Sequence, residues 1–208
     1  MDWREVILHS SLAHQHICIS AHNFVLSKNY IMATSKWVID PAHSTIGFKI
    51  KHLMITNVSG TFSKFNMEVE TEGEDFTTAR GTFTADTASV FTGNEERDRH
   101  LRSPDFFDDS QFAQIKFVPQ RYEAVDNDGS YNVFGDLTIR DVTKEVELFV
   151  EFGGVAKDPW GSTRAGFTVN GTINRKDFGL HWSALTEAGG LVVSDEVKLS
   201  CEIELVKQ

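Results

Sequence analysis

Apolar and polar residues alternate with a period of two along most of this chain, from Lys36 to the C-terminus. The segment TIGFKIK shows the pattern, since Ile46, Phe48 and Ile50 alternate with threonine, glycine and lysine. Successive side chains of a β-strand point to opposite faces, so this alternation predicts strands that are buried on one face. Further alternating runs lie at 65–69, 79–85, 113–117, 133–139, 146–152, 167–173 and 197–205.

Turn sequences such as TEGED, DNDGS and KDPWGS separate these runs. The pattern therefore predicts an all-β protein of about eight strands, joined mainly by hairpins and closed as an antiparallel barrel. The apolar parity changes between Phe62 and Phe65. This change predicts a bulge or bend near Ser63 and Lys64 within one long strand.

Four glycines occupy apolar positions inside the predicted strands, where side chains would fill a core: Gly60, Gly81, Gly135 and Gly171. Glycine tolerates bends and bulges, so one interpretation is curvature of the barrel. The other interpretation is that the missing side chains leave room for a ligand. The glycines alone favour curvature.

The composition suits one globular domain and limits its partners. The 208 residues are 40% hydrophobic, with a net charge of −10 at pH 7 and a sequence pI of about 5.2. Nucleic acids normally require a basic face, so no nucleic-acid partner is expected, and the acidity argues against anionic membrane surfaces too. No apolar run approaches the roughly 18 residues of a membrane span, so no stable membrane insertion is expected.

Residues 1–35 are predicted to be an extension or tail outside the fold, with the barrel domain at 36–208. They hold four of the eight histidines and contain no apolar segment behind a basic start, as a secretory signal would. We therefore expect a cytoplasmic protein. Whether residues 1–31 belong to the native protein stays open.

The segment ERDRHLRSPDFFDD, at 96–109, interrupts the strand pattern with a dense cluster of charges. Asn94 is a suitable N-cap, which predicts a short helix from Asn94 to Arg102 and a helical crossover around 94–109. Its acids and bases nearly cancel, which favours a salt-bridged surface, with an anionic headgroup held by arginine as the alternative. A second helical turn is expected from Arg175 to Phe178.

No residue pattern indicates catalysis or metal binding. His43 and His52 are nine residues apart, so an unbroken strand would point them to opposite faces. Asp40, His43 and Ser44 cannot form a triad in one strand for the same reason, and no nucleophile elbow, HExxH or phosphate loop occurs. Cys201 lies on the apolar parity of the last strand and is expected to be a buried, reduced thiol. We therefore expect no catalytic residues, no metal site and no cofactor.

Four blocks of the sequence resemble the YceI-like family of lipocalin-like polyisoprenoid-binding proteins. They are WVIDPAHSTIGFKIKHLMITNVSGTF at 37–62, RDRHLRSPDFFD at 97–108, FGDLTIRDVTKEVEL at 134–148 and INRKDFGLHW at 173–182. The resemblance implies an extended eight-stranded barrel with an apolar tunnel for polyisoprenoids such as ubiquinone or prenyl phosphates, or for related lipids and amides. It brings no catalytic residues, it is compatible with a homodimer, and it makes the periplasm the alternative location. Asp141 departs from the glycine that the family usually has there.

With this resemblance, the sequence predicts a non-enzymatic binding or carrier protein for long apolar chains. The alternatives are an enzyme, such as an isomerase or hydrolase of a small hydrophobic substrate in the same pocket, and a stress-related interaction protein. The residues predicted to line the tunnel are Phe48, Ile50, Phe83, Phe117, Leu137, Ile139, Leu148, Phe167, Val169 and Phe178. Leu101, Phe106 and Phe107 are expected to cover one end. Four polar residues are predicted to contact a headgroup: His43, Arg97, Arg140 and Arg175.

Overall fold

The computed structural model describes residues 33–126, 129–185 and 191–208. In these residues it contains eleven strands, one α-helix and two short 3-10 helices. The strands are β1 (Thr34–Ile39), β2 (Thr45–His52), β3 (Thr56–Phe62), β4 (Phe65–Glu72), β5 (Asp75–Asp86), β6 (Val90–Phe91), β7 (Gln114–Ala124), β8 (Ser130–Ile139), β9 (Val142–Lys157), β10 (Thr163–Asn174) and β11 (Val193–Lys207). The helix α1 is Glu95–Arg102, and the 3-10 helices are Thr87–Ser89 and Arg175–Phe178.

The strands form a closed antiparallel barrel. The hydrogen-bonded order β1-β4-β5-β7-β8-β9-β10-β11 returns to its start, because β11 also pairs with β1. The strands β2 and β3 continue β1 and β4 beyond short breaks, and β6 pairs with β3 in the same way as β5 pairs with β4. If β1 with β2, β3 with β4, and β5 with β6 are each counted as one interrupted strand, the barrel has eight strands. This confirms the predicted fold class.

Breaks interrupt the first two of these eight strands. One lies at Ser63 and Lys64, between β3 and β4, where the parity change predicts a bend. The other spans 40–44, so that β11 pairs first with β2 and then, past residue 204, with β1. Thr34 and Ser35, the two residues before the predicted domain start at residue 36, already pair with β4. Of the predicted tail at 1–35, residues 1–32 lie outside the described residues.

Arg164 fastens the break between β1 and β2 to the neighbouring strands. Its guanidinium donates to Asp40 Oδ2 at 2.7 Å, to Asp158 Oδ2 at 2.7 Å and to the carboxylate of Glu204. The Ser44 hydroxyl accepts a hydrogen bond from the backbone N–H of Glu204 at 2.9 Å. The break is therefore fixed by a charged network outside the barrel wall.

The helix α1 forms as predicted and packs onto one end of the barrel. Asn94 caps it by accepting from the N–H of Arg97 at 2.9 Å, and Glu96 pairs with Arg99 on its surface. Phe106 and Phe107, just after the helix, are buried. In the part of the chain that is described, no helix has the length and apolar character needed to cross a membrane.

We predict that the acid stability of the barrel depends on Asp40. Hydrogen bonds from Arg164, and then from His43, hold the pKa of Asp40 well below its usual range. A lowered folded pKa adds stability above the ordinary value of about 4, and this contribution is lost as the pH falls below it. Urea unfolding should therefore show that Asp40→Asn lowers the free energy of unfolding near neutral pH, and that the difference from wild type shrinks in acid.

Asp141→Asn is the matched control, because Asp141 is an exposed carboxylate in the turn between β8 and β9. It should change the unfolding free energy little at any pH. An Asp40→Asn difference that stays constant from neutral pH into acid would contradict the role assigned to the ionised carboxylate.

Candidate ligand-binding site

Two cavities lie inside the barrel and meet near its middle. The inner cavity has a volume of about 200 Å³, and the mouth cavity, beneath α1, has about 780 Å³. The larger volume is in the range of small-molecule sites in proteins. Six residues line both cavities: Phe48, Phe62, Ile115, Ile139, Ile173 and Leu199.

The inner cavity is apolar and chemically inert. None of the described residues that line it is charged. Burial raises the pKa of Tyr122 to about 12 and also raises the pKa of Tyr131, so both phenols stay neutral. Burial likewise raises the pKa of the Cys201 thiol, which makes it a poor nucleophile. This space can take an apolar chain, and none of its described lining residues is suited to proton transfer near neutral pH.

Aromatic rings close the barrel at the far end of the inner cavity. The Phe76 ring lies 4.9 Å from that of Trp37 and 4.8 Å from that of Phe167. The Trp37 indole N–H donates to the Thr71 hydroxyl at 3.0 Å, so even its polar atom has a partner in this buried end. A ligand in the inner cavity therefore ends against Phe76 and Phe167.

The inward glycines let large side chains lie flat against the barrel wall. A Cβ built at Gly60 would be 2.3 Å from Cζ of Phe48, which is its partner across β2 and β3. At Gly135 a Cβ would be 2.6 Å from Cζ of Phe117, and at Gly171 it would be 2.5 Å from a methyl of Leu148. Each gap in the wall thus holds a neighbour's side chain that would otherwise extend across the lumen. At these three positions, curvature and room for a ligand are not exclusive interpretations.

The mouth cavity has a mixed wall, with apolar residues inside and polar residues at its outer edge. Ile50, Val58 and Leu101 belong to the apolar part, and Lys51 and His52 lie at the end of β2. Trp182 contributes an indole that stands edge-on to His100, with ring centroids 5.0 Å apart. An amphipathic ligand could therefore place its polar group here and its apolar chain in the inner cavity.

The structure places fourteen of the seventeen predicted ligand-binding residues on the cavity walls. Eight line the inner cavity: Phe48, Phe83, Phe117, Leu137, Ile139, Leu148, Phe167 and Val169. Six more line the mouth cavity: Ile50, Arg97, Leu101, Phe106, Phe107 and Arg175. Their contact with a ligand remains a proposal.

Three predicted residues line neither cavity. Phe178, the last residue of the second 3-10 helix, is buried in the core. His43 is exposed on the outside of the barrel, where its Nδ1 lies 2.9 Å from Asp40 Oδ2. Arg140 lies in the turn after β8, with its guanidinium 5.3 Å from the centre of the Phe112 ring. The predictions that Phe178 lines the tunnel and that His43 and Arg140 reach a headgroup are therefore not supported by their positions.

Arg175 borders the mouth cavity, but its donors are used within the protein. It is 2% exposed and donates to the carbonyl oxygens of Ser194, Leu180 and Trp182, at 2.9, 2.5 and 2.7 Å. A fourth bond, of 3.2 Å, reaches the Asp195 carboxylate. Although burial lowers the pKa of this guanidinium, Asp195 opposes that effect. The side chain thus holds the segment around Trp182 against β11, and these bonds use four of its five N–H donors.

Arg97 both fastens α1 and lines the mouth cavity. Its Nε donates to the Thr92 hydroxyl at 2.7 Å and its Nη2 to the Thr92 carbonyl at 2.8 Å, so it fastens α1 to the segment after β6. Asp98, buried beneath the helix, accepts from the Thr92 N–H at 2.8 Å. Because Arg97 also lines the mouth cavity, it is the predicted headgroup residue that the geometry favours.

The sequence reasoning missed residues that line the mouth cavity outside the periodic strands. Trp182 stands in a segment without regular alternation, and Val192 lies directly before β11. Phe62, Ile173 and Leu199 do follow the period-two pattern, which could have identified them as inward residues.

One cluster outside the barrel has the residue types of a metal site. Asp40, His43 and Glu204 bring their ligand atoms within 4.8 Å of one another. However, Arg164 already binds both carboxylates, and its fixed positive charge would repel a cation there. The donor set therefore fits the ion-pair network better than a metal.

Comparison with known proteins identifies the family. The family described as YceI-like domain matches residues 37–205. The chain belongs to the YceI-like family. A UPF0312 protein of Staphylococcus aureus is 40% identical over 171 residues, which cover 82% of this chain and 96% of that protein.

Solved structures have the same fold. The Campylobacter jejuni YCEI protein is 37% identical with a TM-score of 0.65, covering 81% of this chain and 96% of that one. A polyisoprenoid binding domain from Saccharophagus degradans is 15% identical with a TM-score of 0.58, covering 83% of this chain and 98% of that one. The second likeness shows the fold alone.

We predict that Gly60→Ala narrows the lumen of this YceI-like barrel. The added methyl collides with the Phe48 ring and should push it off the wall, so affinity for a fluorescent long-chain probe should fall roughly tenfold. Removing the ring in Gly60→Ala/Phe48→Ala should restore uptake. Gly166→Ala is the control, because a Cβ there meets no atom within 4 Å. Equal affinities for wild type and Gly60→Ala would contradict the role of the glycine.

We predict that Arg175→Lys lowers stability rather than ligand affinity. A lysine cannot bond three carbonyls and a carboxylate at once, so the free energy of unfolding should fall by about 2–4 kcal/mol. Chemical unfolding measures this change, with the exposed Arg80→Lys as the matched control. The opposite result, with stability kept and probe affinity lost, would make Arg175 a ligand contact.

Proposed function

We propose that this protein is a non-enzymatic carrier that holds one long apolar chain in its barrel, with a polyisoprenoid as the favoured class. The observation that carries this proposal is an inner cavity without a charged residue among its described lining, joined to a wider mouth with polar groups at its edge. Such a site matches a molecule with an apolar tail and a small polar head.

The shape of the barrel favours a linear ligand. An eight-stranded barrel is only wide enough for filling side chains or one small ligand. Its walls are long, however, because β9 has 16 residues and β11 has 15. At about 3.3 Å per residue and a tilt of about 40°, such strands give a wall of roughly 35–40 Å. A narrow, long space suits a single extended chain.

Binding would draw its free energy from the burial of apolar surface, at roughly 25 cal/mol per Å². Polyisoprenoids enter the proposal because a solved protein of the same fold is described as a polyisoprenoid binding domain. The head would lie in the mouth cavity, near Arg97 and His100. We propose binding rather than an enzymatic role, since the described residues that line the inner cavity include no convergent acid and base.

We predict that affinity rises with the length of the bound chain and then levels off. Each added isoprene unit buries about five carbons, at roughly 0.8 kcal/mol each before losses, so an increase of at least about tenfold per unit is expected until the lumen is full. Competition of a prenol series against a fluorescent probe measures this dependence. Native mass spectrometry of the purified protein should show the bound lipid.

Two neighbouring variants separate the lumen from the surface. Val169→Trp places a large side chain at an inner-cavity position and should abolish uptake of the longer prenols. Thr168→Trp, one residue earlier in β10, points to the other face of the strand and should leave uptake unchanged. No length dependence, or equal loss in both variants, would overturn the proposed function.

A further inference from the structure

The hairpin between β2 and β3 ends in three exposed apolar residues, Leu53, Met54 and Ile55, which we name the tip. Met54 is 57% exposed and Ile55 is 80% exposed. A solvated turn normally carries polar residues or glycine, and much of the apolar surface of Met54 and Ile55 is left in water here. Their position calls for a partner outside the protein.

The backbone of the tip adds to this argument. The Ile55 N–H donates to the His52 carbonyl at 3.1 Å, which closes a tight turn with Leu53 and Met54 at its centre. Their φ angles are 50° and 60°, in the left-handed region where asparagine and glycine are favoured. The turn thus keeps two large apolar residues at a position where they cost stability.

The tip stands on the rim of the mouth cavity. The Leu53 N–H donates to the Val192 carbonyl at 2.9 Å, and the Val192 N–H donates to the Ala184 carbonyl at 3.0 Å. Leu185, the residue after Ala184, is also largely exposed. Lys51, His52 and Val192 all line the cavity. The apolar residues therefore border the opening through which a ligand would pass.

The tip is carried on a segment of this acidic protein that contains no acidic residue. The chain has 30 acidic residues, yet residues 41–67 contain none. Lys49 and Lys51 are exposed on β2, and exposed Lys198 pairs with Lys49 across β11. Within the described residues, none of these three lysines forms an ion pair. The net charge of −10 argues against anionic membranes for the protein as a whole, but β2 and the tip carry lysines and no acidic residue.

We propose that the tip docks the mouth of the barrel reversibly onto an anionic lipid bilayer. Leu53, Met54 and Ile55 would enter the headgroup region, while Lys49 and Lys51 would face the anionic headgroups. Docking needs no membrane-spanning segment, and it brings the cavity opening to the surface where apolar chains reside. The transfer of a ligand at that surface rests on the proposed carrier function, whereas the docking itself does not.

The first measurement is sedimentation with vesicles of phosphatidylcholine, with or without phosphatidylglycerol. Wild type should bind the anionic vesicles, and binding should weaken as salt is added. Met54→Ser/Ile55→Ser should reduce the partition coefficient about tenfold or more, and Lys49→Gln/Lys51→Gln should remove most of the preference for anionic lipid. Trp160→Ser is the matched control, because Trp160 is 86% exposed in the turn between β9 and β10, away from the tip.

The second measurement is transfer of a fluorescent polyprenol from these vesicles and from detergent micelles. Met54→Ser/Ile55→Ser should slow uptake from vesicles several-fold and leave uptake from micelles unchanged. Absence of uptake from micelles by wild type would refute the carrier function, while vesicle sedimentation would still decide docking. Docking is overturned if wild type does not sediment with anionic vesicles, or if Trp160→Ser loses as much binding as the tip variant. It is also overturned if the tip variant changes only the oligomeric state in gel filtration, since the tip would then be a contact between copies of the chain.

Discussion

The pairing of β11 with β2 and β1 is the contact on which the barrel depends. Without it the sheet would have two unpaired edges, and water would reach the apolar faces of every strand. The interrupted strand formed by β1 and β2 must follow β11 along its whole length, and it does so with a break at residues 40–44. Arg164 joins this break to β10 and β11 through three carboxylates. A charged network outside the wall thus stabilises the closure of the barrel around its apolar cavity.

Closure alone would give a packed core, because eight strands enclose little more than their own side chains. This barrel keeps a cavity because inward glycines on one strand lie beside large side chains of the neighbouring strand. Gly60 and Gly135 leave gaps in which the rings of Phe48 and Phe117 lie against the wall. Large residues therefore supply apolar surface to the lumen without crossing it. The same glycines that look like bends in the sequence are positions that keep the space open.

Most of the fold could be predicted because its determinants are local. Alternation identifies a strand and its inward face, and Asn94 marks the start of α1. The position of a residue along the barrel axis depends on how the strands pair, which local alternation does not show. Alternation therefore placed Phe167 on the cavity wall but did not show which end of the barrel it closes. Arg175 could not be interpreted from sequence, because its acceptors come from residues 180, 182, 194 and 195. Trp182 was missed because the segment around it has no period.

The two ends of the barrel differ, and this difference sets the order in which a ligand can enter. Rings of Trp37, Phe76 and Phe167 fill one end, so an apolar chain has no exit there. The other end opens beneath α1, where Arg97 and His100 line the mouth cavity. Under the proposed carrier function, a chain would enter tail first and leave its head at the mouth, since a polar head buried in the inner cavity would find few partners for its hydrogen bonds. The head stays at the rim that carries the tip, so one end of the molecule would both receive and release the ligand.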